Sequence, residues 1–173
     1  NGGVLNGVFR STNQGGAWTP LDVPTVHPGG QGDPNTSIVA DPSNINLVYV
    51  GGDRINAFPW TGNLVRIDAS QASGSQITTI VDGNADPDGG GPLPGTTPHA
   101  DSRWMVFDAN GNILQGDDGG INRRSSPTLS TGVWNSTNGN LQVSEIHDVA
   151  YDTLTNVLFG GFQDIGNNEQ TTA

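Results

Sequence analysis

Short apolar runs of four to seven residues recur along the chain, separated by polar stretches rich in Gly and Pro. None keeps the 3.6-residue spacing of a helix, and no stretch free of Gly and Pro is long enough to hold one. The pattern predicts strands over residues 4–10, 37–40, 47–50, 64–67, 77–81, 104–107, 113–114, 148–151 and 157–159. Residues 19–36 and 82–98 are predicted loops, and the tail from Asn167 to Ala173 is polar. The stretch 98–124 is the most informative. The apolar run Trp104–Phe107 meets a tight polar turn, Asp108-Ala-Asn-Gly111, then Ile113-Leu114 and Gly116-Asp-Asp-Gly-Gly120. Two apolar runs joined by Asp, Asn and Gly form a β-hairpin.

Three segments repeat one motif: an apolar strand, Asp at a turn, Asn, a second apolar strand, then Gly and an acid. Their turn aspartates are Asp41, Asp108 and Asp152, so the spacings are 108 − 41 = 67 and 152 − 108 = 44 residues. The shorter spacing suits a four-stranded propeller blade, and the excess in the longer one fits the 82–98 loop. The expected fold is therefore all-β, about three consecutive four-stranded blades of a β-propeller. The blade-like repeats fall at about 1–36, 37–98, 99–147 and 148–173. Closure takes four to eight blades, so the chain is expected to be part of a larger propeller or to associate with other chains.

Composition narrows the function classes. Apolar residues make up 32% of the 173 residues, with 26 Gly and 11 Pro, a mix suited to many short strands and turns. The absence of cysteine excludes disulfides and thiolate metal sites. The net charge of −11 argues against nucleic acid or an anionic membrane surface as partner. No apolar run is long enough for a membrane-spanning helix. The acidic residues are almost all Asp, which points to turns, caps and oxygen-rich cation sites. The chain opens at Asn1 without a signal peptide, so a mature or trimmed product is expected.

Ser11-x-Asn13-x-Gly15-x-x-Trp18 matches the pattern S-x-D-x-G-x-x-W, the Asp-box, with Asn at the Asp position. The Asx side chain can bond turn amides and Gly permits positive φ. After this box come the V-x-D-P-S-N-x-N-x-V-Y-V-G-G run from Val39 to Gly52, the His99–Ser102 H-A-D-S, and D-D-G-G-I over 117–121. G-N-L-Q over 139–142 and G-x-Q-D-x-G over 161–166 complete the series. In this order the motifs resemble the sialidase-like, or BNR-repeat, β-propeller proteins, including the xyloglucanase-like group of secreted bacterial proteins. The resemblance covers residues 4–168. It implies a propeller, a secreted or cell-surface location, and Asp-boxes with a structural role. It also implies that Trp18, Trp104 and Trp134 pack between blades. Some members are glycoside hydrolases and many are modules of large surface proteins. The arginine triad and Tyr nucleophile of sialidases have no counterpart here, because Tyr49 and Tyr151 sit inside apolar strand runs. The two aspartates of xyloglucanase-like enzymes face each other across two propellers, so no catalytic residue carries over.

The candidate ligand-binding residues are His99, Asp101, Asp118, Arg123, Trp60 and Asp164. His99, Asp101 and Asp118 flank the 98–124 hairpin, where imidazole and carboxylates can meet a sugar or a cation at a channel mouth. The alternative is structural: His99 and Asp101 cap turns while Asp118 organises the Gly-Gly turn, as the recurrence of acids at Asp53 and Asp164 suggests. Arg123-Arg124 can pair a carboxylate or an anionic sugar, but alternation would turn one inward and leave the other solvated. Trp60 is either a sugar-stacking platform or packing. Asp82, Asn84, Asp86 and Asp88 alternate like the ligands of a calcium loop, and from Asn84 they match the opening of an EF-hand. Gly95 stands where that loop needs Glu, so a non-EF Ca2+ site competes with a solvated acidic loop. Asn35 and Asn135 head glycosylation sequons. His27, His99 and His147 lack zinc spacing, and there is no nucleophile elbow or phosphate loop.

The leading expectation is a secreted or extracellular β-propeller module for binding or scaffolding, cation-stabilised and not itself catalytic, with polysaccharide or other blades or chains as partner. The alternatives are part of a polysaccharide-cleaving glycoside hydrolase and a purely structural repeat.

Overall fold

A computed structural model describes residues 3–82, 97–141, 143, 146–162 and 166–170. These residues contain strands and no helix. The chain divides into two compact units, Asn1–Gly139 and Asn140–Ala173.

The first unit holds ten strands. A hairpin of β1 (Val8–Arg10) and β2 (Thr19–Leu21) precedes two four-stranded antiparallel meanders. One is β3 (Ser37–Ala40), β4 (Leu47–Gly51), β5 (Leu64–Asp68) and β6 (Ile77–Thr79). The other is β7 (Trp104–Phe107), β8 (Ile113–Asp117), β9 (Gly120–Arg124) and β10 (Trp134–Ser136). The second unit is a three-stranded sheet of β11 (Ile146–Asp152), β12 (Val157–Phe162) and β13 (Gly166–Glu169). Among the described residues no sheet closes into a barrel.

Two apolar layers hold the first unit together. Leu47, Tyr49, Leu64 and Ile80 meet Met105, Ile113 and Trp134 of the second meander. The Tyr49 and Phe107 rings cross edge to face at 5.7 Å within this layer. On the opposite side of the first meander, Val50, Val65 and Ile67 pack with Val8 and Val26. Strands β4 and β5 are thus covered on both faces, which is why their sequences run apolar almost without alternation. Each fully buried aliphatic side chain here contributes on the order of 2 kcal/mol. The β1–β2 hairpin is also tied down by Asp22, whose carboxylate accepts from the Gly74 and Gln76 amides and the Ser73 hydroxyl.

The repeated turn aspartates do one job three times. Asp41 Oδ1 accepts from the Ser43 and Asn44 amides at 2.8 and 3.0 Å, and Tyr49 donates its hydroxyl to Oδ2. Asp108 Oδ1 accepts from the Asn110 and Asn112 amides, both at 2.8 Å. Asp152 Oδ1 accepts from Leu154 N at 2.8 Å and Oδ2 from the Thr155 hydroxyl. Each carboxylate is held below its ordinary range by these donors; at Asp41 they outweigh burial, the largest single influence. The Asn13 side chain likewise accepts from Ala17 N at 2.8 Å, closing the Ser11–Trp18 turn between β1 and β2.

Four expectations need correction. The stretch 19–36, expected as a loop, opens with strand β2, paired with β1 from Arg10↔Thr19 to Val8↔Leu21. Strands β9 and β10 follow the 98–124 hairpin as full members of its sheet, where the pattern marks only a charged pair and a G-x-W. The polar tail contributes β13, paired with β12 from Phe162↔Gly166 to Phe159↔Glu169. Polar side chains suit a strand whose residues from Asn167 to Glu169 are all exposed. Trp18 and Trp104 are each 62% exposed rather than packed between sheets, whereas Trp134 is 1% exposed.

Candidate functional site

The acidic residues picked out around 98–124 come together at one end of the two meanders. The cause is backbone pairing. The lead-in to β7 crosses the ends of β4 and β8: Asp101 N donates to Asp53 O at 2.6 Å, Ser102 N to Gly52 O at 2.9 Å, and Arg103 N to Gly116 O at 2.8 Å. The first strands of the two meanders meet alongside, where the Ser37 and Ser102 hydroxyls lie 2.5 Å apart, both buried. Asp53 follows β4 two residues beyond Gly51, in the place that Asp118 takes after Gly116, and Asp117 is the last residue of β8. Loop 26–36 covers the same end, with Asp53 N donating to Val26 O at 3.0 Å.

Every carboxylate of this cluster already holds donors. Asp53 accepts from Gln31 N at 3.1 Å and from Arg54 N at 2.5 Å. Asp101 accepts from Asn35 Nδ2 at 2.6 Å. Asp117 accepts from Gly119 N at 2.9 Å and Asn122 Nδ2 at 3.0 Å. Asp118 takes a two-pronged ion pair from Arg103, at 2.9 and 3.2 Å. Burial pushes the Asp117 carboxyl up to about 8, against the pull of Asn122 and Gly119. Burial also raises Asp101, with the charges of Asp118 and then Asp53 adding to it and Arg103 opposing. Asp101 adopts φ 68°, a left-handed backbone that Asp tolerates better than most residues.

His27 supports the covering loop. Its Nε2 lies 3.1 Å from Asn35 O and 3.0 Å from the Thr36 hydroxyl, which spends its own proton on Gly32 O. Nε2 therefore carries the ring proton. His99 is half-buried, and its Nδ1 lies 3.3 Å from Ala100 O. The site as a whole offers fixed carboxylates with a few cations, a surface suited to hydroxyl-rich or cationic groups. Among the described residues no group of three or more His, Cys, Asp or Glu can hold a metal ion.

The sequence candidates divide as follows. His99, Asp101 and Asp118 meet at the cluster. Trp60 stands apart from these carboxylates, on the loop that follows Asp53. It is 55% exposed, edge to face with Phe58 at 5.8 Å, and the Arg54 guanidinium lies 5.8 Å from its ring centre. Arg123 is exposed on β9, and Arg124 is buried, as alternation requires. Asp82 is half-buried at the end of the described segment. Asn84, Asp86, Asp88 and Asp164 lie outside the described residues. His27, Gln31, Asn35, Asp53 and Arg103 complete the site but were not singled out as candidates. Only the recurrence of acids after Gly pointed to Asp53; the loop residues join through pairings up to 66 positions apart.

No protein-family model matches the chain, and no curated protein matches it in sequence. The fold class rests on the strands themselves: an all-β chain with two four-stranded antiparallel sheets.

Proposed function

We propose that this chain supplies consecutive blades of a β-propeller and acts as a binding or scaffolding module, secreted or at the cell surface, that holds polysaccharide at the acid-rich end. What carries the non-catalytic assignment is how the carboxylates are held. Asp53, Asp101, Asp117 and Asp118 each accept from a protein donor that ties the side chain into the fold. The propeller assignment is supported by two successive four-stranded meanders, packed face to face, whose first strands meet at Ser37 and Ser102. Trp60, on the loop that follows Asp53, supplies an exposed ring for sugar stacking apart from the carboxylates.

Affinity electrophoresis through gels cast with plant and bacterial polysaccharides tests the binding. At least one polysaccharide should retard the chain, and Trp60→Ala or Arg103→Ala should reduce the retardation. Unchanged mobility in every gel overturns the polysaccharide assignment. A glycoside hydrolase is the second reading, and the raised Asp117 carboxyl, a candidate proton donor, favours it. Release of reducing sugar that Asp117→Asn abolishes would replace the binding module with an enzyme. Calcium at Asp82, Asn84, Asp86 and Asp88 is part of the same proposal; chelation should then lower the melting temperature, and an unchanged melt would remove the ion.

A further inference from the structure

Arg124, the last residue of β9, is 3% exposed. Its Nη1 donates to Ile80 O at 2.9 Å, just beyond β6, and its Nη2 to Leu129 O at 3.1 Å, in the loop before β10. The Trp134 ring centre lies 5.8 Å from the guanidinium carbon. All these partners are neutral. Among the described residues no carboxylate pairs with this guanidinium, and its Nε–H has no acceptor. A second cation stands close. Arg66 donates from Nη1 to Thr128 O, one residue before Leu129, and its charge repels that of Arg124. Arg66 has Asp68 to offset it, whereas no carboxylate among the described residues acts on Arg124 in that way. Burial pulls Arg124 down to about 10. Carbonyls satisfy its N–H groups but leave the charge unbalanced, and a buried charge is costly until an opposite charge meets it.

Arg124 lines a cavity of about 110 Å³, with Thr79 to Asp82 on one side and Ser130 and Gly132 on the other. At about 30 Å³ per water, that is room for about three or four water-sized groups. Thr79 and Ser130 are exposed, so the cavity is reached from solvent. We infer that this cavity binds one small carboxylate, held by the Nε–H of Arg124 and the hydroxyl of Ser130. An oxyanion supplies both what the guanidinium lacks, an acceptor for Nε–H and an opposite charge. Asp82 in the same wall repels a dianion more than a monoanion, which selects a carboxylate over phosphate or sulfate. No residue of this cavity belongs to the acid-rich cluster, so the inference does not rest on the polysaccharide assignment.

Nitrogen-15 NMR of the whole folded chain tests it through the Nε–H signals of its arginines, 6 in all since the chain has no lysine. Arg124→Lys removes one signal and so assigns it. Should that variant not fold, the contact with the Trp134 ring assigns the signal through a proton nuclear Overhauser effect. Acetate titrated at constant ionic strength should move the Arg124 signal to a saturable limit, while chloride and phosphate leave it in place. Ser130→Ala, which keeps the guanidinium, should weaken the acetate affinity at least about threefold. N-acetylglycine identifies the source: the same shift means that the carboxylate can end a longer ligand, and no shift means a free small acid. An Arg124 signal that acetate leaves unmoved overturns the inference. So does one that chloride moves equally, which marks an adventitious ion only, or one that phosphate saturates at lower concentration than acetate.

Discussion

Replacing Trp134 by Phe isolates the contact that joins the two meanders. The indole is 1% exposed and donates to Ile80 O at 2.8 Å, with Arg124 set 5.8 Å from its ring centre. Phe keeps an aromatic ring but loses the donor and part of the volume. The lost hydrogen bond costs about 1 kcal/mol, near the low end, because Arg124 still donates to the same carbonyl and leaves no orphan. The unfilled volume adds roughly 1–2 kcal/mol. Chemical denaturation should therefore show Trp134→Phe less stable by about 2–3 kcal/mol, with an unchanged m-value. Trp18→Phe, at the corresponding turn but exposed, should change monomer stability by less than about 0.5 kcal/mol. Equal effects at the two sites would refute the stacking account, as would a loss below about 0.5 kcal/mol at Trp134.

Other consequences are as direct. Asp117, held near 8 by burial, keeps its proton in the folded state while the unfolded chain releases it near 4, so this group's contribution to stability is lost as pH rises from about 4 to about 8. The slope approaches 1.4 kcal/mol per pH unit, and Asp117→Asn should flatten it; a wild-type stability curve that Asp117→Asn leaves unchanged would contradict the assignment. Asp41→Ala removes the acceptor for two turn amides and the Tyr49 hydroxyl, and should destabilise the first unit by about 2 kcal/mol in thermal denaturation. Asp108→Ala should lower the melting temperature by the same mechanism.

The turn chemistry was legible because it is local. Asp41, Asp108 and Asp152 bond amides two to four residues away, so the spacing of Asp and Asn announces each hairpin. Strands β4 and β5 were legible because burial on both faces writes continuous apolar runs. Strand β9 was not, since Gly120-Ile-Asn-Arg-Arg124 hides a buried Arg and Asn among charges, and only the facing sheet supplies the carbonyl that Arg124 requires. Strand β13 escaped for a related reason: its exposed polar residues carry no periodic signal, and its place is set by main-chain pairing to β12. The acidic cluster was half legible. His99, Asp101 and Asp118 stand close in sequence, but the bond from Asn35 to Asp101 exists only once the sheets stack.

That stacking brings β3 and β7 together and is the base of both the site and the proposed blades. The chain has no cysteine, so Ser37→Cys/Ser102→Cys introduces the only two thiols, at side chains whose oxygens lie 2.5 Å apart. Disulfide formation under mild oxidation, read by intact mass and by thiol titration, measures that neighbourhood. The account predicts near-complete intramolecular closure without loss of fold; two thiols that stay free and titratable in the folded protein would contradict it.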